Sequence, residues 1–216
     1  FVLLDYIRDY HKPIVISSGM SSLQELKRAY NFIREKTEDV TILHCVSNYP
    51  CKLEDLNLLT IPFLKKEFPE AKIGLSDHSL DKSVLTYASR LGIEVYEKHF
   101  TLDRNSWGSD HKVSLIPEEF RKMVDIYDVY KDDERLKIPK EVLGISTKFI
   151  NEKEMPFRKV FRKGLFVRRD IKKGELIARE DIIALRPRGD APKSEDYELY
   201  VDKIASKDIP KYGIIS

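Results

Sequence analysis

Two cysteines, one tryptophan and three methionines are all that 216 residues hold of those types. Cys45 and Cys51 can pair, but two cysteines do not make a disulfide framework; reduced thiols in a cytoplasmic protein are the expectation. Neither sign of charge is in excess. The 38 basic and 36 acidic residues leave a net charge of +2, which gives no electrostatic case for nucleic acid or a membrane surface. No apolar run approaches the ~18 residues that span a bilayer. Asp5, Arg8 and Asp9 interrupt the first residues, so these do not read as a signal peptide. No glycine-rich phosphate loop follows the first strand pattern, which argues against a dinucleotide-binding fold. No methionine opens the chain, and residues 1–10 read as a helix already under way. The expectation is a fragment whose N-terminal portion is missing.

What is present is alternation. Short apolar strands are expected at 13–17, 40–47, 71–75 and 93–98. Amphipathic helices separate them. The first has Ser22 as N-cap and Glu25 three residues on, a capping box; the next runs over 61–67 with Pro62 in its first turn. A third covers 82–91 and is ended by Gly92, and a fourth runs over 117–131. Strand, helix, strand, helix at this spacing implies right-handed crossovers and a parallel sheet. Polar residues gather at the C-terminal ends of all four strands, as in a barrel whose site is built from strand–helix loops. Four units close only half of a (β/α)8 barrel, and an isolated half leaves sheet edges open. Residues 1–135 therefore read as an α/β half-barrel and 136–154 as a charged linker. Residues 155–216 read as a small β-rich domain. Asp170-Ile171-Lys172-Lys173-Gly174 is echoed by Asp208-Ile209-Pro210-Lys211-Tyr212-Gly213, which suggests pseudo-two-fold halves.

Parity along the strands selects the chemistry. Alternate residues share a face, so Ser76 goes with His78 and Glu97 with His99. If the third and fourth strands are neighbours, both imidazoles point inward at the rim. There they can hold a divalent cation with positions left open, Glu97 serving as ligand, outer partner or acid/base. The alternative, histidines satisfied by ordinary hydrogen bonds, stays open on spacing alone. Ser17 and Ser18 end the first strand, where hydroxyls and free N–H groups suit an anion or simply cap the helix. Ser47 and Tyr49 share parity with Cys45 and can line the same pocket, or make an ordinary turn. His44 has the opposite parity and is expected to face the helices; His11 sits in a polar turn, facing solvent. The loop 101–114 carries Trp107, Gly108, Asp110 and His111; Asp110 can hold sugar hydroxyls or be a surface acid.

Six segments together resemble the sialic acid synthase family: KPIVISSGMSS (12–22), LHCVSNYPC (43–51), IGLSDHS (73–79), EVYEKHFTLD (94–103), GSDHKVSL (108–115) and KGLFVRRDIKKGELIAREDIIALRP (163–187). The resemblance covers nearly the whole chain. It implies a barrel joined to an antifreeze-like SAF cap domain. It also implies condensation of phosphoenolpyruvate with an N-acylated amino sugar to a nine-carbon 2-keto sugar acid, with phosphate released. By resemblance, His78 and His99 bind manganese or magnesium, and Ser17, Ser76 and Tyr49 lie at the phosphoenolpyruvate site. Ser47 stands where some members have Asn. Glu97 and Asp110 face the amino sugar or metal. Arg186, with Phe161 nearby, reaches from the cap into the partner subunit of a swapped homodimer. The chain departs from the family at Arg188-Gly189-Asp190, where a glycine-rich turn is expected. The family's N-terminal lysines and acid have no counterpart here, so the fragment alone is expected to be inactive.

Two other functions compete. A Schiff-base aldolase needs an inward lysine, and Lys98 has the wrong parity. A carbohydrate-binding or assembly module would use a basic face of Lys163, Arg168, Arg169, Lys172 and Lys173.

Overall fold

The computed structural model describes residues 1–216 and divides into two compact units. One comprises residues 12–28 and 37–154; the other comprises 1–11, 29–36 and 155–216.

The larger unit is built on four parallel strands in the order β1-β2-β3-β4: Ile14–Ser17, Val40–Cys45, Lys72–Asp77 and Val95–Lys98. Sequence order equals spatial order, as in one half of a parallel barrel. β2 is buried at all six positions and β3 at five of six, whereas β1 and β4, each paired on one side only, are partly exposed. The near-continuous apolar run of β2 is what a parallel strand covered on both faces requires. Gly74 permits the close approach of β4: a Cβ there would lie 2.4 Å from the Val95 carbonyl oxygen and 2.5 Å from Leu43. β2 stops at Cys45, two residues earlier than the sequence suggests, because the Ser47 N–H turns away to the carboxylate of Glu154 at 2.8 Å. β3 runs two residues further than expected, because Ser76 and Asp77 stay in register with Glu97 and Lys98.

Helices separate the strands, and the helix Thr60–Glu67 packs on β2 and β3. The helix α2 (Leu23–Arg34) starts with the expected capping box: Ser22 Oγ accepts from Glu25 N–H at 3.2 Å, and the Glu25 carboxylate accepts from Ser22 N–H at 2.8 Å. In α3 (Thr60–Glu67), Ile61 and Leu64 are fully buried, with Phe68 just beyond; in α4 (Val84–Arg90), Val84 and Ala88 are. These i, i+3, i+4 and i+7 spacings give each helix a single apolar stripe. Full burial of each large side chain contributes about 1.5–3 kcal/mol. Gly92 ends the α4 turn at φ +83°, a conformation glycine adopts without cost. The fourth helix of the alternation, α5, spans Pro117–Tyr130.

Residues 136–154, read from sequence as a linker, belong to the same unit and carry the short helix α6 (Lys140–Leu143). Val142 is fully buried, and its carbonyl accepts the Leu58 N–H at 2.9 Å.

The smaller unit begins with α1 (Val2–Arg8) and includes α7 (Met155–Phe161) and four short strands. β5 (Gly164–Val167) pairs antiparallel with β7 (Ile182–Leu185), and β6 (Leu176–Ile177) with β8 (Lys203–Ile204). Leu165, Val167, Ile171, Ile177, Ile182 and Ile209 form its core. The sequence echo is structural. Ile171 and Ile209 exchange both backbone bonds, at 2.9 and 2.8 Å. Asp208 accepts the Lys173 N–H at 2.8 Å, and Asp170 accepts the Lys211 N–H at 2.7 Å, a reciprocal, pseudo-two-fold arrangement. Buried Asp5 of α1 joins this unit through Tyr197 Oη at 3.0 Å and Arg179 at 3.0 Å, and pairs within the helix with Arg8 at 2.9 Å.

Candidate active site

Because Ser76 pairs with Glu97 and Asp77 with Lys98, the residues that alternate with them fall into two sets on opposite faces of the sheet. One set is Ser76, His78, Glu97 and His99. Ser76 Oγ donates to Glu97 Oε1 at 2.7 Å, and the imidazoles of His78 and His99 lie 5.1 Å apart, centroid to centroid. Tyr49 covers them, its ring 4.1 Å from His78 and 5.6 Å from His99. The Cys45 thiol adds the floor. Its sulfur is 3.7 Å from Ser47 Oγ and 4.0 Å from His78 Nδ1, and the hydroxyls of Ser17 and Ser76 are near enough to act on the thiol. The ends of all four strands therefore converge, and Ser17, Ser47, Tyr49, Ser76, His78, Glu97 and His99 come together.

Asp110, in the 3-10 turn Asp110–Val113, is exposed, yet near enough to act electrostatically on both Tyr49 and His99. Phe161 and Arg186 belong to the smaller unit, where the Arg186 guanidinium sits 5.0 Å above the Phe161 ring with both side chains exposed.

Burial sets the protonation states. It pushes His78 below the ordinary histidine value, against the opposing bond to the Val46 carbonyl. Burial, then the neighbouring His78, lowers His99. Both rings are thus neutral at physiological pH and keep a lone pair. Burial also raises the Cys45 thiol, so it stays protonated among its hydroxyl partners. Tyr49 is pushed up to about 12, first by burial and then by Cys45, Asp110, Glu97 and Glu154.

The donor set suits a divalent cation. His78 Nδ1–H donates to the Val46 carbonyl oxygen at 2.9 Å, which leaves Nε2 unprotonated and fixes the ring, the usual support for a metal-binding histidine. No group of three or more His, Cys, Asp or Glu side chains is gathered to hold a metal ion, so the two imidazoles are the candidate donors.

The opposite face carries a different assembly. Lys98 Nζ pairs with Asp77 Oδ2 at 2.6 Å, with side-chain exposures of 2% and 0%, and also donates to the Ser79 carbonyl. Tyr96 Oη reaches the same carboxylate oxygen at 2.5 Å. Lys98 is thus a buried ion-pair partner facing away from the histidines, which removes the Schiff-base reading. His44, as parity requires, is buried away from the site and donates from Nε2 to the Leu56 carbonyl at 2.7 Å. His11 is exposed. Two of the five residues of the basic face of the smaller unit are paired: Arg169 with Asp181 and Glu175, both at 2.6 Å, and Lys172 with Asp208 at 3.1 Å.

Sequence reasoning missed Glu154, which is 1% exposed and touches this rim. The signal was there in Asn151-x-x-Glu154, a capping-box spacing within a stretch read as a charged connection.

A strand-end site on a half-barrel, followed in sequence by a small pseudo-symmetric β-rich unit, defines a two-unit class of strand-end barrel proteins. The NeuB family model matches residues 1–132 and the SAF domain model residues 162–215. The chain belongs to the NeuB family. It is 36% identical to the spore coat polysaccharide biosynthesis protein SpsE of Bacillus subtilis over 220 residues, 96% of this chain and 58% of that protein. It is 37% identical to N,N'-diacetyllegionaminic acid synthase of Legionella pneumophila over 81% of this chain and 48% of that one. Identity to pseudaminic acid synthase of Campylobacter jejuni is 38%, over 94% and 55%. The crystal structure of the B. subtilis SpsE superposes with a TM-score of 0.84 at 33% identity, covering 99% of this chain and 62% of that one. The chain spans between about half and three fifths of the length of these relatives.

No helix is long and apolar enough to cross a membrane, and both cysteines are free and buried.

Proposed function

We propose that this chain supplies the metal-side half of a transferase that condenses phosphoenolpyruvate with an N-acylated amino sugar. The products are a nine-carbon 2-keto sugar acid and phosphate. The observation that carries the reading is the His78–His99 pair at 5.1 Å, with His78 oriented by the Val46 carbonyl. The relatives named for legionaminic and pseudaminic acid synthesis support the substrate class.

In this reading C3 of phosphoenolpyruvate attacks the aldehyde carbon of the sugar, water adds at C2, and phosphate leaves with C–O cleavage. A divalent cation, manganese or magnesium, held by His78 and His99 would polarise an aldehyde or activate a water. The chain's own residues do the rest. Ser17, Ser47 and Ser76 hydroxyls and Tyr49 orient the phosphoenolpyruvate anion. Glu97, fixed by Ser76, stands beside the cation site to exchange a proton or to balance charge developing at C2. Asp110 holds sugar hydroxyls. The exposed Arg186–Phe161 platform serves the rim of a second copy in a cap-exchanged homodimer. Holding two substrates in line supplies much of the acceleration.

The test joins the N-terminal portion of B. subtilis SpsE to this chain and follows phosphate release. The acceptors are N-acetylmannosamine and the two diacetamido-dideoxy hexoses that lead to legionaminic and pseudaminic acid. Release is expected with one acceptor, only when phosphoenolpyruvate is present, and not from the 216-residue chain alone. His78→Ala and His99→Ala should each lower kcat at least ~100-fold. Full activity in both variants would remove the metal from the account.

A further inference from the structure

We propose that Glu154 is a positioning residue of the candidate site, an inference that rests on the functional reading above. Its carboxylate fastens the exit loop of β1 to the exit of β2, so that Ser17 and Ser47 present their hydroxyls to one anion.

Glu154 is 1% exposed, and its carboxylate accepts three backbone N–H groups from three separate segments. Oε1 bridges Met20 N–H at 3.0 Å and Ser47 N–H at 2.8 Å, while Oε2 accepts Asn151 N–H at 3.1 Å. A buried carboxylate is costly to desolvate unless its lone pairs are filled, and charge-assisted bonds to backbone N–H groups are the stronger kind. The two loops that it joins are the ones whose geometry needs holding. Met20 has φ +54°, a left-handed conformation that costs a residue with a Cβ roughly 1–2 kcal/mol. Gly19 lies against the site itself: a Cβ added there would meet Ser47 Oγ at 2.2 Å and Cys45 Sγ at 2.9 Å. The β1 exit loop is thus pressed onto the β2 exit, with one carboxylate oxygen closing the contact. Glu154 follows the barrel strands in sequence and reaches neither histidine by any hydrogen bond. Its role is therefore to place groups that bind substrate.

Substitution separates this role from simple support of the fold. Glu154→Gln keeps the side-chain length and one acceptor oxygen for Met20 and Ser47. Glu154→Ala removes the bridge. Amide exchange on the 216-residue chain is the first measurement. In Glu154→Ala the Met20 and Ser47 amides should exchange at least ~10-fold faster, with Ile42 and Leu75 of the central strands unchanged. In Glu154→Gln the change should stay within ~3-fold. Kinetics in the SpsE chimera are the second. Glu154→Ala should raise KM for phosphoenolpyruvate about 10-fold while KM for the amino sugar moves less than 2-fold, and Glu154→Gln should recover most of the loss.

Unchanged exchange at Met20 and Ser47 overturns the proposal. So does faster exchange in a chimera whose two KM values shift together. A wild-type chimera without phosphate release defeats the functional reading instead, and the exchange data then still decide whether Glu154 joins the two loops.

Discussion

Asp77→Ala is expected to cost about 4–5 kcal/mol of local stability. The carboxylate serves Lys98 Nζ at 2.6 Å, Tyr96 Oη at 2.5 Å and Ser79 N–H at 2.8 Å, all beneath a surface where neither charged side chain exceeds 2% exposure. Removing it leaves an ammonium, a phenol and an amide without their partner. Lys98→Met should cost less, about 3 kcal/mol, because Asp77 keeps Tyr96 and Ser79. The double variant should cost clearly less than the two singles added, since the uncompensated ammonium is gone. Hydrogen exchange at the β3 and β4 amides reads all three values. Additive losses would mean that the pair is not coupled. The consequence for the site is direct, because Asp77 sits between Ser76 and His78, and Lys98 between Glu97 and His99. The ion pair locks the register that puts the two imidazoles side by side.

The second large effect is a pH dependence owed to His44. Burial pushes it down to about 4, against the raising effect of its bond to the Leu56 carbonyl and with a further lowering by Lys148. An unfolded chain protonates His44 near pH 6.5, whereas the folded chain does so only near 4. Between those values the unfolded state binds the extra proton. Stability is therefore complete above about 6.5, declines as pH falls, and is lower by about 3 kcal/mol once below about 4. Urea unfolding of the wild type from pH 7.5 to 4, set against His44→Gln, measures it. The wild type should lose that much more than the variant over the range. Parallel pH profiles would show that His44 is not the group responsible.

Both effects show what the sequence makes legible. Period and parity are local properties, so four strand–helix units, the Ser22–Glu25 capping box and the outward side of His44 could be read directly. So could the shared face of His78 and His99, because that face follows once β3 and β4 are neighbours. What escaped depends on pairing at a distance. Ser76-Asp77 looks like a polar loop until Lys98 and Tyr96 of the next strand supply partners, and only then does the strand extend to Asp77. Glu154 looks like one more charge in a charged connection. Its burial follows from backbone N–H groups contributed 107 and 134 residues earlier, which no periodicity reveals. The antifreeze-like unit lies between these cases: its repeated Asp-Ile turn was visible, whereas the reciprocal bonds between Asp170, Lys211, Asp208 and Lys173 emerge only in the folded chain.

The most direct measurement is a manganese titration of the 216-residue chain, followed by electron paramagnetic resonance. One ion should bind per chain, and it should be lost on changing either His78 or His99 to Ala while Cys45→Ser still binds it. A wild-type chain that binds no manganese, or two histidine variants that bind it as the wild type does, would contradict the shared cation site on which the proposed chemistry stands.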